Sequence, residues 1–174
     1  MAIRKILTEP DSFLRQKSVK VDDVNDELRS LMDDMLETMY AAPGIGLAAI
    51  QIGVPKRVIV MDLSRNEEKK NPLYFVNPEI ISSSRIDAAY EEGCLSVPGQ
   101  FAEISRPDKC KIKFLNYDGK EQILHAEGLL ATCIQHEVDH LEGILFIDYL
   151  SKLKKTMIVK KLSKQKKSLE RIVV

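Results

Sequence analysis

The segment Gln135-His136-Glu137-Val138-Asp139-His140 constrains this chain more than any other. Two histidines four residues apart share one face of a helix, about one turn from each other. Imidazoles so placed can hold one divalent metal ion, with Glu137 beside it to move a proton. The chain has three histidines, and this segment holds two of them. The fold must then be built around this helix, and the chemistry it points to is metal-assisted hydrolysis. Alone, the two histidines are read equally well as metal ligands or as a buried polar pair.

A third ligand separates these readings, because a catalytic zinc or iron site has three protein ligands and an open position for water. Many metalloproteases with such a helix take the third ligand from downstream. Here Glu142 and Asp148 lie too close in sequence to fold back, and Glu170 sits in a basic tail. Upstream stands Glu92-Gly93-Cys94-Leu95-Ser96, where a cysteine lies in a glycine-containing segment. A thiolate is a strong ligand for zinc or ferrous iron. Farther upstream is Gly44-Ile45-Gly46-Leu47-Ala48-Ala49-Ile50-Gln51, small residues that permit close backbone approach, followed by an amide side chain.

On these three segments the chain resembles the bacterial peptide deformylases. That family carries Gly-x-Gly-x-Ala-Ala-x-Gln, then Glu-Gly-Cys-x-Ser, then Gln-His-Glu-x-Asp-His. Gly44 to Gln51, Glu92 to Ser96 and Gln135 to His140 match them in that order. The likeness spans nearly the whole chain, and each segment supplies a different part of one site.

The resemblance implies that Cys94, His136 and His140 hold the metal and that Glu137 carries the proton. It implies that the Gln51 side-chain amide and the backbone N–H of Leu95 stabilise an oxyanion. A tight recess near Gly46 would take the formyl group. Ile45, Tyr90, Leu129 and Cys133 would form the apolar pocket for methionine, and Gly93 joins this substrate-binding set. The substrate would be an N-formylmethionyl peptide, cleaved to formate and a free N-terminus. One divalent ion per chain is implied, Fe2+ in cells, with Zn2+, Ni2+ or Co2+ suited to the same soft donors. Two positions depart from the family pattern. Phe101 stands seven residues after Cys94, where many members have arginine, and Ala42-Pro43 replaces the acidic residues that often precede the first glycine motif. Arg106, five residues beyond Phe101, is placed for a structural ion pair.

Composition narrows the alternatives. A chain of 174 residues, 44% hydrophobic and 30% charged, suits one globular domain with a sizeable core. We read residues 1–174 as that domain, ending in a basic helix over about 151–171. The net charge is zero, so the molecule is no general polyanion binder and DNA is not expected as a partner. Yet Lys152 to Arg171 holds nine Lys or Arg against Glu170 alone, leaving the rest net acidic. That helix is either a solvated face or a transient contact to the ribosome, whose surface is a polyanion. No apolar run reaches membrane length, and no signal or transit peptide is evident. The odd count of Cys94, Cys110 and Cys133 argues against a disulfide framework and for a reducing cytoplasm. A metalloendopeptidase and a non-enzymatic RNA-binding module are the competing classes. The first lacks its downstream ligand, and the second leaves Gly44 to Gln51 unexplained.

Hydropathy patterning predicts an α+β fold, with antiparallel or mixed sheets around the metal-binding helix. Asn25 caps a helix whose stripe is Leu28, Leu31, Met32, Met35, Leu36 and Met39, ended by Pro43-Gly44. Arg57 to Leu63 and Tyr74 to Ile81 read as strands, the second bent at Pro78, with a charged loop from Asn66 to Asn71 between them. Lys109 to Asn116 and Gln122 to Ala126 form a hairpin about Asp118-Gly119. Helix follows from about Leu129 to Glu142, stopped at Gly143, and a last helix begins near Ser151. Cys110 is expected in the core and His125 on the surface. Cys133 lines either pocket or core, and Asp139 and Glu142 either orient ligands or solvate the helix.

Overall fold

The computed structural model describes residues 1–64 and 68–172. Of the charged loop expected over 66–71, Asn66 and Glu67 lie outside the described residues. The elements are α1 (Asp26–Ala41), β1 (Gly46–Ala48), β2 (Val58–Met61), β3 (Leu73–Ser83), β4 (Asp87–Cys94), β5 (Val97–Pro107), β6 (Lys109–Leu115), β7 (Glu121–Glu127), α2 (Gly128–Leu141) and α3 (Lys152–Ile172). Short 3-10 turns cover Ser12–Arg15, Ala49–Ile52 and Phe146–Tyr149. Five strands form one antiparallel sheet in the order β1-β2-β3-β6-β7, and β4 and β5 pair separately.

Strand β2 shows how the layers arise. Successive side chains of a strand point to opposite faces. Val58 and Val60 meet Leu28, Met32, Met35 and Met39 of α1 on one face. Ile59 and Met61 meet Ala131, Cys133, Ile134 and Leu141 of α2 on the other. A strand covered on both faces must be apolar throughout, as Val-Ile-Val-Met is.

Local chemistry sets the boundaries. The Asn25 side chain accepts from Leu28 N at 2.9 Å, which caps α1, a bond worth about 1 kcal/mol. The bend in β3 falls at Asn77-Pro78, where the pairing register shifts between Val76 and Glu79. Asn77 adopts φ 49°, and its side chain exchanges two 2.9 Å hydrogen bonds with the Val21 backbone. Gly143 stops α2 at φ 74°, and a Cβ there would run into the Arg15 carbonyl.

Helix α2 lies between the large sheet and a third apolar cluster. In that cluster Val97 and Ile104 of β5 meet Leu145, Phe146 and Ile147 and, from α3, Leu162. Nine of the fourteen α2 residues are buried, so the helix is enclosed over most of its surface. Among the described residues, no helix is long and apolar enough to cross a membrane.

Candidate metal centre

Helix α2 presents His136, Glu137 and His140 toward the end of β4, where Cys94 stands. The β4–β5 register shifts between Gly93 and Cys94, an irregularity of the kind that re-aims a side chain. One donor atom each from Cys94, His136 and His140 falls within 4.8 Å of the others, and Cys94 Sγ lies 3.3 Å from His140 Nε2. Ligand bonds of 2.0–2.3 Å in a tetrahedron place donors about 3.3–3.8 Å apart, a range that the Cys94–His140 separation meets. The donor set, one thiolate and two imidazoles, suits a borderline-soft divalent metal.

A charged relay stands behind His136. Its Nδ1 lies 2.8 Å from Glu92 Oε1, which leaves Nε2 for the centre. The Arg106 guanidinium grips Glu92 through Nε at 2.7 Å and Nη2 at 3.0 Å, and donates from Nη1 to Asp139 at 2.8 Å. Burial alone would raise the Glu92 carboxyl, but His136 and Arg106 outweigh it and hold the group below its usual range. Burial also pulls His136 down, yet its contacts with Cys94 and Glu92 carry it well above its usual value. His140 is pushed well below, by burial first and then by the charge of His136.

Glu137 lies in this interior with Oε2 buried and without a hydrogen-bond partner. Burial pushes its carboxyl up to about 7, with His136 opposing and Glu92 adding to the shift. Gly46 of β1 comes so close that a Cβ there would sit 2.5 Å from Glu137 Oε1. Gln51 is 1% exposed and is fixed by Ala48 N donating to its Oε1 at 2.9 Å. Its Nε2 donates to Ser96 Oγ at 3.0 Å and approaches Cys94 Sγ at 3.5 Å.

These groups open on a cleft of about 470 Å³. Of the residues expected there, Ile45, Gly46, Gln51, Gly93, Cys94, Leu95, Leu129, Cys133, His136 and Glu137 line it, while His140 is fully buried beneath. Tyr90 is not among the lining residues. It sits on β4 two residues before Glu92, hence on the same face of the strand, with its hydroxyl near Gly128 at the start of α2. Phe101 does line the cleft, 66% exposed, its ring lying over Gly93. Cys133 is both core and cleft wall, and burial raises its thiol to about 12. Asp139 belongs to the relay, whereas Glu142 pairs outward with Arg57 and Lys17. Cys110 is buried and His125 exposed, as expected. Sequence reasoning missed Ser96, Phe146 and Tyr149. Phe146 stacks on His136 with centroids 6.2 Å apart, and Tyr149 donates to Asp139 at 2.7 Å. Ser96 stood inside a recognised motif, but nothing in the spacing signalled the other two.

The profile of the polypeptide deformylase family matches residues 3–156. The peptide deformylase of Pelagibacter ubique is 68% identical over 174 residues, covering all of both chains. That of Phenylobacterium zucineum is 63% identical, covering 97% of this chain and 99% of the relative. Among solved structures, the crystal structure of peptide deformylase from Ehrlichia chaffeensis superposes with a TM-score of 0.91 at 41% identity, covering 96% of this chain and 98% of that one. A structure from the same organism in complex with actinonin gives 0.89 at 43% identity, covering 95% and 98%.

Proposed function

The chain belongs to the polypeptide deformylase family, a metal-dependent hydrolase that removes the N-formyl group from nascent polypeptides, and on that premise we propose how its residues divide the work. Cys94, His136 and His140 hold one divalent ion, Fe2+ in cells, with Zn2+, Ni2+ and Co2+ accepted by the same donors. The bound ion supplies Lewis-acid polarisation and brings the pKa of a water toward neutrality. Glu137 takes the proton at its unpartnered Oε2 and returns it to the departing amine. The Gln51 Nε2 and the Leu95 N–H serve the oxyanion. Gly46 and Gly93 keep the recess narrow enough for a formyl group, and Ile45, Leu129 and Cys133 accept the methionine side chain.

The observation that carries this reading is the convergence of three metal-suited donors with a buried, unpartnered carboxylate at the floor of one cleft. We read residues 1–174 as one catalytic domain working in the cytoplasm, with α3 touching the ribosome transiently. The deciding assay is formate release from a formyl-methionyl peptide by protein loaded anaerobically with Fe2+ or Ni2+. Formate should appear with that substrate, and no product with its acetylated counterpart or at internal peptide bonds. Internal cleavage would move the assignment to an endopeptidase, and RNA binding without formate release to a non-enzymatic module.

A further inference from the structure

Tyr149 neither lines the cleft nor belongs to the donor set, yet it contacts the charged relay twice. Its hydroxyl donates to Asp139 Oδ2 at 2.7 Å, the oxygen that also accepts from Arg106 Nη1 at 2.8 Å. Its ring lies over the Arg106 guanidinium, 4.8 Å from Cζ to centroid. Tyr149 is 51% exposed while Arg106 is 5% exposed, so the ring is part of the outer cover of that guanidinium.

The backbone around Tyr149 is equally specific. In a 3-10 helix the side chains at i and i+3 eclipse one another. Phe146 and Tyr149 are such a pair, and they project to the same side of their turn. Phe146 stacks on His136 with 25° between ring planes, and Tyr149 stacks on the residue that grips the partner of His136. The turn is pinned between them by Asp148, which accepts from Leu145 N at 3.1 Å and pairs with Arg15 at 2.6 Å and with Lys155 at 2.7 Å.

We propose that the turn Phe146–Tyr149 positions the metal centre, with Tyr149 as the positioning residue that locks the Arg106 relay behind His136. The proposal rests on Cys94, His136 and His140 being the metal ligands. A guanidinium is a rigid planar fork, so its donors cannot move independently. If Asp139 loses the Tyr149 hydroxyl and Arg106 loses its cover, Nη1 can swing outward. Nε and Nη2 then turn off Glu92. Glu92 Oε1 accepts from Arg106 Nη2 and faces His136 Nδ1, so the imidazole loses the group that fixes its orientation. Groups that orient metal-bound imidazoles change affinity by about 10–100-fold when removed. Tyr149 acts one link farther out, so a smaller change of about 3–10-fold is expected.

The test uses the full-length chain, stripped of metal and titrated anaerobically with Co2+, for wild type, Tyr149→Phe and Tyr149→Leu. The readouts are the thiolate-to-cobalt charge-transfer band, the visible d–d bands, the Zn2+ affinity by competition and the Tm of each metal-free protein. Tyr149→Leu should bind Co2+ and Zn2+ about 3–10-fold more weakly and shift the d–d bands, with the metal-free Tm close to wild type. Tyr149→Phe, which keeps the ring, should recover part of the affinity. Unchanged affinities and bands in both variants overturn the proposal, as does a loss of affinity that only follows a lower metal-free Tm. A wild type without the charge-transfer band would instead overturn the assignment of Cys94, which is a different failure.

Discussion

Glu137 and Gly46 form a close-packed pair at the level of single residues. Glu137→Gln keeps the volume and removes the basic carboxylate. Proton transfer contributes about 10²–10⁴-fold to such reactions, so formate release should fall by that much while metal content stays at the wild-type level. Unaltered turnover at equal metal content would remove Glu137 from its role. Gly46→Ala tests the same carboxylate from the other side. Its Cβ would lie 2.5 Å from Glu137 Oε1 and 3.0 Å from Cδ, and the acid is the softer partner because β1 is held by its pairing to Met61, Val60 and Ile59. Displacing a reacting group by about 1 Å costs on the order of 10²-fold, so turnover should drop that far with an unchanged circular dichroism spectrum.

Helix α1 offers a cleaner electrostatic test among the secondary-structure elements. Arg4 donates to Asp34 Oδ2 through Nε at 2.9 Å and Nη2 at 2.6 Å, and Ala2 N donates to Oδ1 at 2.7 Å. The Arg4 contact, then the Ala2 N–H, lower the Asp34 carboxyl below its usual 3.8. A carboxyl lowered in the folded state stabilises it above the unfolded pKa and loses that contribution as pH falls through the folded one. Melting temperatures should therefore decline below about pH 4, and Asp34→Asn should flatten that decline while lowering Tm at neutral pH. Equal slopes in the two proteins would exclude the contact as a contributor. Elements with a strong period were legible from sequence: α1 by its Leu and Met stripe, α2 by its histidine spacing, β6 and β7 by the Asp-Gly turn. The β4–β5 hairpin was not. Asp-Ala-Ala-Tyr-Glu-Glu-Gly-Cys carries no large aliphatic residue to mark a strand, and its one buried residue is the charged Glu92, which faces the polar relay. The three residues able to hold a metal, Cys94, His136 and His140, were legible because they lie in short motifs. Arg106 was expected in a structural ion pair and forms one, but its partners were not legible, since Glu92 lies 14 residues and Asp139 33 residues away along the chain.

For the molecule as a whole, α3 divides at Leu162. Ile158, Val159 and Leu162 pack against the cluster of Val97 and Phe146, whereas Leu153, Met157 and Leu169 face outward among the lysines. Truncation near Lys160 would remove the buried Leu162 and strip one wall from that cluster. A chain ending after Ser163 keeps it and deletes Lys164, Lys166, Lys167 and Arg171. This shorter chain should turn over formyl-peptides at the wild-type rate and co-sediment less with ribosomes, the difference vanishing at high salt. Equal co-sedimentation would reject the tail as a docking element. The placement of Cys94 has a separate consequence. It lies on a two-stranded hairpin outside the main sheet, 46 residues from His140 on the helix that sheet supports. An ion bound by both is a cross-link between separately built parts, formed only after the chain has closed that loop. Binding then becomes folding free energy by mass action. Zn2+ at about 100 times its Kd adds roughly 2.7 kcal/mol, which in a chain of this size raises Tm by roughly 5–10 °C. Cys94→Ser should forfeit most of that rise, and amide exchange across β4 and β5 should slow in wild type as metal is added. The ion would then stabilise the structure that binds it as well as taking part in the reaction.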